Sequence, residues 1–275
     1  MKTIINVILV LLLFSISFDS FSQGKIDESK KELKEGRESN DTEDASSSSS
    51  SDNSSDNIVF EIVGKAFLYV TYYAFIGNYA EEDHLHSNLT KYPYYNGSSG
   101  NYENPDSVPS LAKILRLDLE DKLLLSPPNI FGNHLKAKFR SFQFFYLQAD
   151  YFQLTEFNKF NRSYSNLSLF NFNFCYDRVR LEKFNLGWTL GINYVGNDIN
   201  KAGFSCGLNT DIFLFKTISL YSSMKWGSIN NVPVNEFEIQ CRYHEKNYFY
   251  SIGYEHLKIG SPTYDFISMG GGIYF

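Results

Sequence analysis

Charged residues recur at every second position along several segments of this chain. The acids and bases that share this parity are Arg116, Asp118, Glu120, Lys136, Lys138, Arg140, Glu236, Glu238, Arg242 and Glu255, with Asp150 on a further segment. Opposite charges on neighbouring strands attract one another, so we predict that the charges of the first two segments pair with each other. The mixed signs favour an interior filled by ion pairs over a charged pore or a catalytic cleft, because a selective pore uses a ring of one sign.

Histidines and an aromatic stretch are the other candidates for chemistry. His84 and His86 lie in an acidic stretch whose spacing matches no metal-binding motif, and we predict no metal and no cofactor. Residues 91–107 are rich in Tyr and Gly, which suits either a binding surface or an ordered aromatic loop. A hydrolase needs a histidine beside a serine or a carboxylate. His134 and His256 fall near the outer ends of their segments without such a signature, so we assign no catalytic residue.

The strict alternation predicts that β-strands position these side chains. In residues 185–195, large apolar residues occupy one face, and glycine, threonine and asparagine occupy the other. The same pattern returns through residues 202–212, 234–243 and 248–256, with His256 on the apolar face beside Tyr254. Alternation over such lengths is a strand pattern.

The strands are long enough to cross a membrane, which needs about 9–11 tilted residues. In lipid a sheet must close on itself to satisfy its edges. We therefore predict an all-β fold, a closed antiparallel transmembrane β-barrel of about ten strands, from Leu111–Leu125 and Leu135–Arg140 to Tyr264–Phe275, with eight or twelve strands as alternatives. The links between strands alternate between short and longer, as in barrels with short periplasmic turns and longer outside loops.

The segments before the barrel differ in composition. Residues 1–22 have the short positive start and the apolar run of a signal peptide, with cleavage expected before Gln23. Residues 23–57 are charged and Ser-rich, which predicts a disordered linker. Residues 58–107 hold an apolar segment and the Tyr-rich loop. Helical spacing favours a helix over residues 58–77, with a hairpin as the alternative. The barrel is predicted over residues 108–275.

The composition excludes some classes of protein. The formal net charge is -6, which gives no basic face for nucleic acid. The three cysteines, Cys175, Cys206 and Cys241, are too far apart for a metal or redox pair, and we interpret them as small apolar residues.

The last strand carries a resemblance to a known family. Ile267, Met269, Ile273 and Phe275 share one face, and this alternation ending in Phe resembles the C-terminal signature of Gram-negative outer-membrane β-barrels. The whole chain is similar to barrels of the Bacteroidota. The resemblance implies an outer-membrane location, contact with outer-membrane lipid, and recognition of Phe275 by the barrel-assembly machinery.

The predicted barrel is compatible with several functions. We expect a structural, binding or accessory role at the cell surface, with a surface or periplasmic protein as a candidate partner. A small solute channel is the first alternative, and a lipid-modifying enzyme is the second.

Overall fold

The computed structural model describes residues 24–36, 69, 71–104, 115–142, 144–158 and 162–275. The predicted signal peptide, residues 37–57 of the linker and the first residues of the predicted first strand lie outside these ranges. The elements, in chain order, are α1 (Lys25–Glu35), β1 (Asn88–Leu89), β2 (Tyr102–Glu103), β3 (Arg116–Ser126), β4 (Ile130–Arg140), β5 (Phe145–Asn158), β6 (Ser163–Arg180), β7 (Phe184–Val195), β8 (Lys201–Phe215), β9 (Ile218–Ile229), β10 (Val232–Glu245), β11 (Tyr248–Ile259) and β12 (Thr263–Tyr274).

Strands β3 to β12 form one closed antiparallel barrel, which confirms the predicted fold and the count of ten strands. Each strand pairs with the next along the chain. The barrel closes where β12 pairs with β3, from Ile267 opposite Leu125 to Tyr274 opposite Asp118. Closure leaves every strand with two neighbours, as lipid requires of any sheet that crosses it.

The two sides of the wall differ as the alternation predicted. Along β6 the outward residues Phe170, Phe172 and Phe174 are exposed, whereas the inward residues Asn171 and Asn173 are buried. An apolar exterior of this extent is unfavourable in water and favourable against acyl chains. No helix among the described residues is long and apolar enough to cross a membrane.

Three predictions, about a strand end, the lengths of the links and the linker, were wrong. Strand β4 begins at Ile130 rather than Leu135, because Gly132 pairs within the ladder opposite Leu154 and does not end the strand. The predicted difference in link length is also absent. The links at one end, of which the longest described is residues 196–200, are about as short as those at the other end, of which the longest is residues 141–144. The hairpin at Asn230 and Asn231 is a tight turn in which both residues have positive φ.

The third wrong prediction concerns the linker, which was expected to be disordered, because residues 25–35 form helix α1. The helix packs into the barrel mouth that carries the turns at residues 127–129, 230–231 and 260–262, which we call the α1 mouth. Ile26 and Leu33 are buried there in one apolar cluster with barrel residues. The Glu156 carboxylate accepts hydrogen bonds from the backbone N–H groups of Gly24 (3.0 Å) and Ile26 (2.9 Å), so a negative charge meets the positive end of the helix. A short helix this rich in charge is not stable alone, and it is stabilised when its apolar face docks on the barrel.

The opposite mouth is covered by residues 71–104, which we call the plug, and we call this end the plug mouth. The predicted helix over residues 58–77 is present at residues 71–75, and its earlier residues lie largely outside the described ranges. The plug then forms the short β1–β2 pair, with Leu89 opposite Tyr102. Leu85, Leu89 and Tyr102 are its buried anchors.

Hydrogen bonds from Arg178 and Trp188 hold the start of the plug where it crosses the rim of the barrel. Arg178 donates to the backbone carbonyl oxygens of Tyr73 (3.0 Å) and Ala74 (3.2 Å), which end the helical turn, and to the Glu82 carboxylate. Trp188, on the outer wall, donates its indole N–H to the Phe75 carbonyl oxygen at 2.9 Å. The helical turn therefore lies against the outside of the barrel, and the remainder of the plug lies over its mouth.

Candidate functional site: the charged barrel interior

All ten charged residues that share the sequence parity point into the barrel. Asp118 and Glu236 are half-buried, and the other eight are buried. Burying charges is unfavourable unless each finds a partner. The arrangement of the pairs therefore decides what the interior can do.

The predicted pairing between the first two strands is largely wrong. Glu120 lies opposite Lys136 in the ladder, and Asp118 lies opposite Lys138, but Glu120 binds Arg242 (2.9 Å) and Lys136 binds Glu238 (2.5 Å) from the other side of the barrel. Asp118 pairs with Arg116 on its own strand at 2.7 Å and approaches Arg140 at 3.6 Å. The lumen is narrow enough for long side chains to meet across the barrel axis. Such contacts cannot be predicted from the register of neighbouring strands.

A central cluster forms around Lys122. Its ammonium contacts the carboxylates of Glu238 and Glu255, the latter at 2.6 Å. Lys225 pairs with Asp150 at 2.7 Å and with Glu236 at 3.3 Å. Lys122 and Lys225 were missed as site residues, although both share the inward parity of their strands. This shared parity could have identified both lysines as interior residues from the sequence.

His134 belongs to this cluster and not to the outer rim where the sequence placed it. Because β4 starts at Ile130, His134 lies within the strand and is buried. Its Nδ1 lies 2.8 Å from Glu255 and its Nε2 lies 3.3 Å from Asp150. The ring stacks on Phe152 with a centroid distance of 3.7 Å.

His134, Glu238 and Glu255 bring their potential ligand atoms within 4.8 Å of one another. A divalent cation prefers such a set of oxygen and nitrogen atoms. Lys122 already contacts both carboxylates, so its ammonium stands in the place that a metal ion would take. A metal would have to displace Lys122, and we assign no metal site here.

A second cluster joins the interior to the plug. Asp177 binds Arg140 at 2.8 Å and accepts a hydrogen bond from the Tyr102 hydroxyl at 2.5 Å. Burial, reinforced by the Asp177 charge, holds the pKa of Tyr102 well above its ordinary value, so the hydroxyl remains a donor. Arg116 donates to the carbonyl oxygen of Thr90 and to the side chain of Asn101, each at 3.1 Å.

The acidic stretch around His84 has structural contacts of its own. Glu82 binds Arg178 at 2.8 Å, and these hydrogen bonds hold the pKa of Glu82 below its ordinary value. His86 Nε2 lies 2.8 Å from the Tyr79 carbonyl oxygen. The stretch therefore fixes the plug to the rim.

Little free space remains inside the described part of the barrel. The larger cavity, beside Arg116, Lys138, Arg242 and His244, has a volume of about 20 Å³, and a second beside Lys225 and Glu238 has about 10 Å³. A single water needs about 10–15 Å³. Each of these two cavities is therefore about the size of an individual water.

One serine–histidine pair is present, and the sequence pattern did not single it out. The Ser219 hydroxyl lies 2.7 Å from His244 Nε2, and both residues are buried at the plug mouth. His244 Nδ1 lies 3.5 Å from the Tyr274 hydroxyl, and no carboxylate among the described residues forms an ion pair with it. The Tyr94 ring of the plug packs edge-on against His244 at 5.4 Å. The pair therefore lacks a carboxylate on Nδ1 and is covered by the plug.

Phe275 lies at the plug mouth with its side chain exposed on the outer wall. Its backbone pairs with Leu117, donating at 2.9 Å and accepting at 3.2 Å. The main chain of the last residue thus completes barrel closure, independently of the phenyl ring. Recognition of the ring by the assembly machinery stays a prediction.

No protein-family model and no curated protein matches this chain. Among solved structures it is similar to the KdgM porin, with 10% identity and a TM-score of 0.35 over 58% of this chain and 98% of that chain. Ail of Yersinia pestis in a phospholipid bilayer nanodisc gives 11% and 0.34 over 59% and 100%. OprG from Pseudomonas aeruginosa gives 9% and 0.32 over 59% and 97%.

Values this low carry nothing about activity from those proteins to this chain. The closed barrel and its apolar exterior make this an outer-membrane protein.

Proposed function

We propose that this protein is a closed, non-conducting outer-membrane barrel with a structural and binding role at the cell surface. The observation that carries the proposal is that, among the described residues, the interior charges are paired with one another, except Lys138, whose ammonium lies 4.5 Å from the centre of the Tyr221 ring. Asp150, Glu238 and Glu255 each contact a lysine, and Glu120 contacts Arg242. Ion pairs that cross the lumen act as struts and obstruct a path along the axis.

The solute channel is the weaker alternative. A channel needs a hydrated route and ion-binding groups of one sign. Here Lys122 and Lys136 flank Glu238, and the cavity beside Arg116 and Arg242 is about the size of an individual water. In addition, α1 packs into one mouth and the plug covers the other.

The binding part of the role is supported by α1. Its buried face is held by the barrel, so the opposite face is presented to solvent. That face carries both signs of charge, on Asp27, Glu28, Lys31, Lys34 and Glu35. Because α1 is already ordered by docking on the barrel, it loses little further conformational entropy when a partner binds. Its mixed polar face therefore suits contact with a protein.

Conductance in planar bilayers tests the proposal. We expect the purified full-length protein to insert without stepwise conductance. The matched comparison is Tyr102→Phe, which removes one plug contact with Asp177, and the control is Tyr248→Phe on the exposed rim. We expect neither variant to conduct, because the ion pairs across the lumen and the docking of α1 remain in both. Stable, ion-selective steps from the unaltered protein would establish the channel alternative and refute the proposal.

A further inference from the structure

A polar cluster interrupts the apolar outer wall near the α1 mouth. Asp265 of β12 accepts hydrogen bonds from the Tyr254 hydroxyl (2.5 Å) and from His256 Nδ1 (2.7 Å), both of β11. His256 and Asp265 lie directly opposite each other in the ladder, and their side chains are 34% and 32% exposed. All three face outward, as the parity of His256 predicted.

Such groups are unusual on a surface that faces lipid. Other outward positions of the same strands hold Ile252, Ile267 and Met269. A charged side chain at the middle of the bilayer destabilises a barrel by about 2–4 kcal/mol, and near the interface this cost falls to about 0–1 kcal/mol. His256 lies close to Ile259, where β11 ends, so the cluster sits at the depth of the lipid headgroups.

Two ammonium groups adjoin the cluster on the side nearer the rim. Lys258 follows His256 on the same outward face and lies opposite Thr263 in the ladder. Lys25, from α1, donates to the Thr263 carbonyl oxygen at 3.0 Å, two residues before Asp265 in β12. Among the described residues, neither lysine forms an ion pair within 4 Å.

The carboxylates near this cluster already have partners. Asp265 is engaged by Tyr254 and His256, and Glu156 is engaged by the backbone N–H groups at the start of α1, so neither forms an ion pair with the two ammonium groups. Because His256 Nδ1 is bonded to Asp265, Nε2 is the ring nitrogen left to meet a group from the bilayer. A phosphate would satisfy both ammonium groups and can share a proton with His256 Nε2.

We propose that Lys25, Lys258 and His256 bind the phosphate of a lipid headgroup in the leaflet at the α1 mouth. Lys25 comes from α1 and Lys258 from the barrel, so a bound headgroup would bridge the helix and the wall. Asp265 and Tyr254 are positioning residues, because they orient the imidazole. The site lies on the outer wall, and the inference holds whether or not the barrel conducts.

Lipid retention measured by native mass spectrometry tests the site. The full-length protein in detergent would be offered dioleoyl phosphatidic acid and dioleoylglycerol, which differ only in the phosphate. We expect preferential retention of phosphatidic acid, falling by about fivefold for each ammonium group removed, in Lys25→Gln and Lys258→Gln. Lys258→Arg should keep the preference. Lys246→Gln, at the exposed turn of the plug mouth, is the control and should change nothing.

Three results would overturn the inference. The first is equal retention of the two lipids by the unaltered protein. The second is an unchanged preference in the Lys25→Gln/Lys258→Gln double variant that still shows the heat-modifiable mobility of a folded barrel. The third is displacement of the lipid by an equal concentration of inorganic phosphate, which would assign the site to free phosphate. His256→Gln should weaken the retention of phosphatidic acid and leave that of dioleoylglycerol unchanged, which the loss of a purely structural histidine would not do.

Discussion

Replacing Glu238 by Gln is the sharpest test of the interior. The Glu238 carboxylate contacts Lys122 and Lys136 and accepts a hydrogen bond from Gln240 at 2.5 Å. The substitution keeps the size of the side chain and removes one buried negative charge. The two lysines are affected unequally. Lys122 retains Glu255, whereas Lys136 is left with Asp150 at 4.0 Å.

The expected magnitude follows from the charge left without a close partner. Breaking a buried pair by removing one member costs about 3–5 kcal/mol when the site is dry. Only Lys136 loses its near partner, so we expect one such penalty and not two. For a chain of this size, 1 kcal/mol corresponds to roughly 2–4 °C in Tm, so the expected fall is roughly 6–20 °C.

Thermal and urea unfolding in detergent measure this change, with heat-modifiable gel mobility as the readout of the closed barrel. Glu245→Gln is the matched control, since it makes the same substitution on an exposed residue of the same strand. Adding Lys136→Met to Glu238→Gln should restore part of the loss, because it removes the unpaired charge. If Glu238→Gln melted like Glu245→Gln, the interior would be hydrated and the ion pairs would not act as struts.

Three further predictions concern the plug, the last residue and α1. Because the pKa of Glu82 is lowered in the folded state, its contribution to plug docking is present above its unfolded pKa near 4.5 and is lost as the pH falls through the lower, folded value; acid titration of Trp188 fluorescence in a Trp226→Phe background should show a transition that Glu82→Gln removes and Glu81→Gln keeps. Phe275→Ala should refold from urea into detergent, since its backbone makes the closing hydrogen bonds, yet fall in amount in the outer membrane of cells; unchanged cellular levels would reduce Phe275 to a packing residue. Leu33→Asp should release α1 and expose it to protease, whereas Lys31→Asp on the solvent face should not, and equal cleavage of both would contradict the docking of the helix.

Several features of this protein followed from the sequence alone. Alternation of period two separates the faces of each strand, so the inward position of Glu238 and the outward position of Ile192 could be predicted without any tertiary information. Closure followed as well, since lipid leaves no other way to satisfy a sheet edge. Local pattern also indicated about ten strands, and the closed barrel decided between this count and the alternatives of eight and twelve.

Strand ends and docked segments were predicted less well. The second strand was predicted to begin at Leu135 but begins at Ile130, and this one change moves His134 from the rim to the interior. The charged sequence of α1 predicts disorder when it is considered alone. The helix is stable because Ile26 and Leu33 are buried by barrel residues distant in sequence, and Glu156 binds its first turn.

The sequence by itself thus determined which side chains face lipid and which face inward, because that choice depends only on neighbours two residues away. The tertiary structure alone decided the partners. Glu120 pairs with Arg242 and not with Lys136 because the ten strands curve into a cylinder narrow enough for side chains to meet across it. The same closure brings Lys25 beside Thr263, residues that lie at opposite ends of the chain. Contacts across a closed sheet depend on its diameter and register, and neither quantity is written in any single strand.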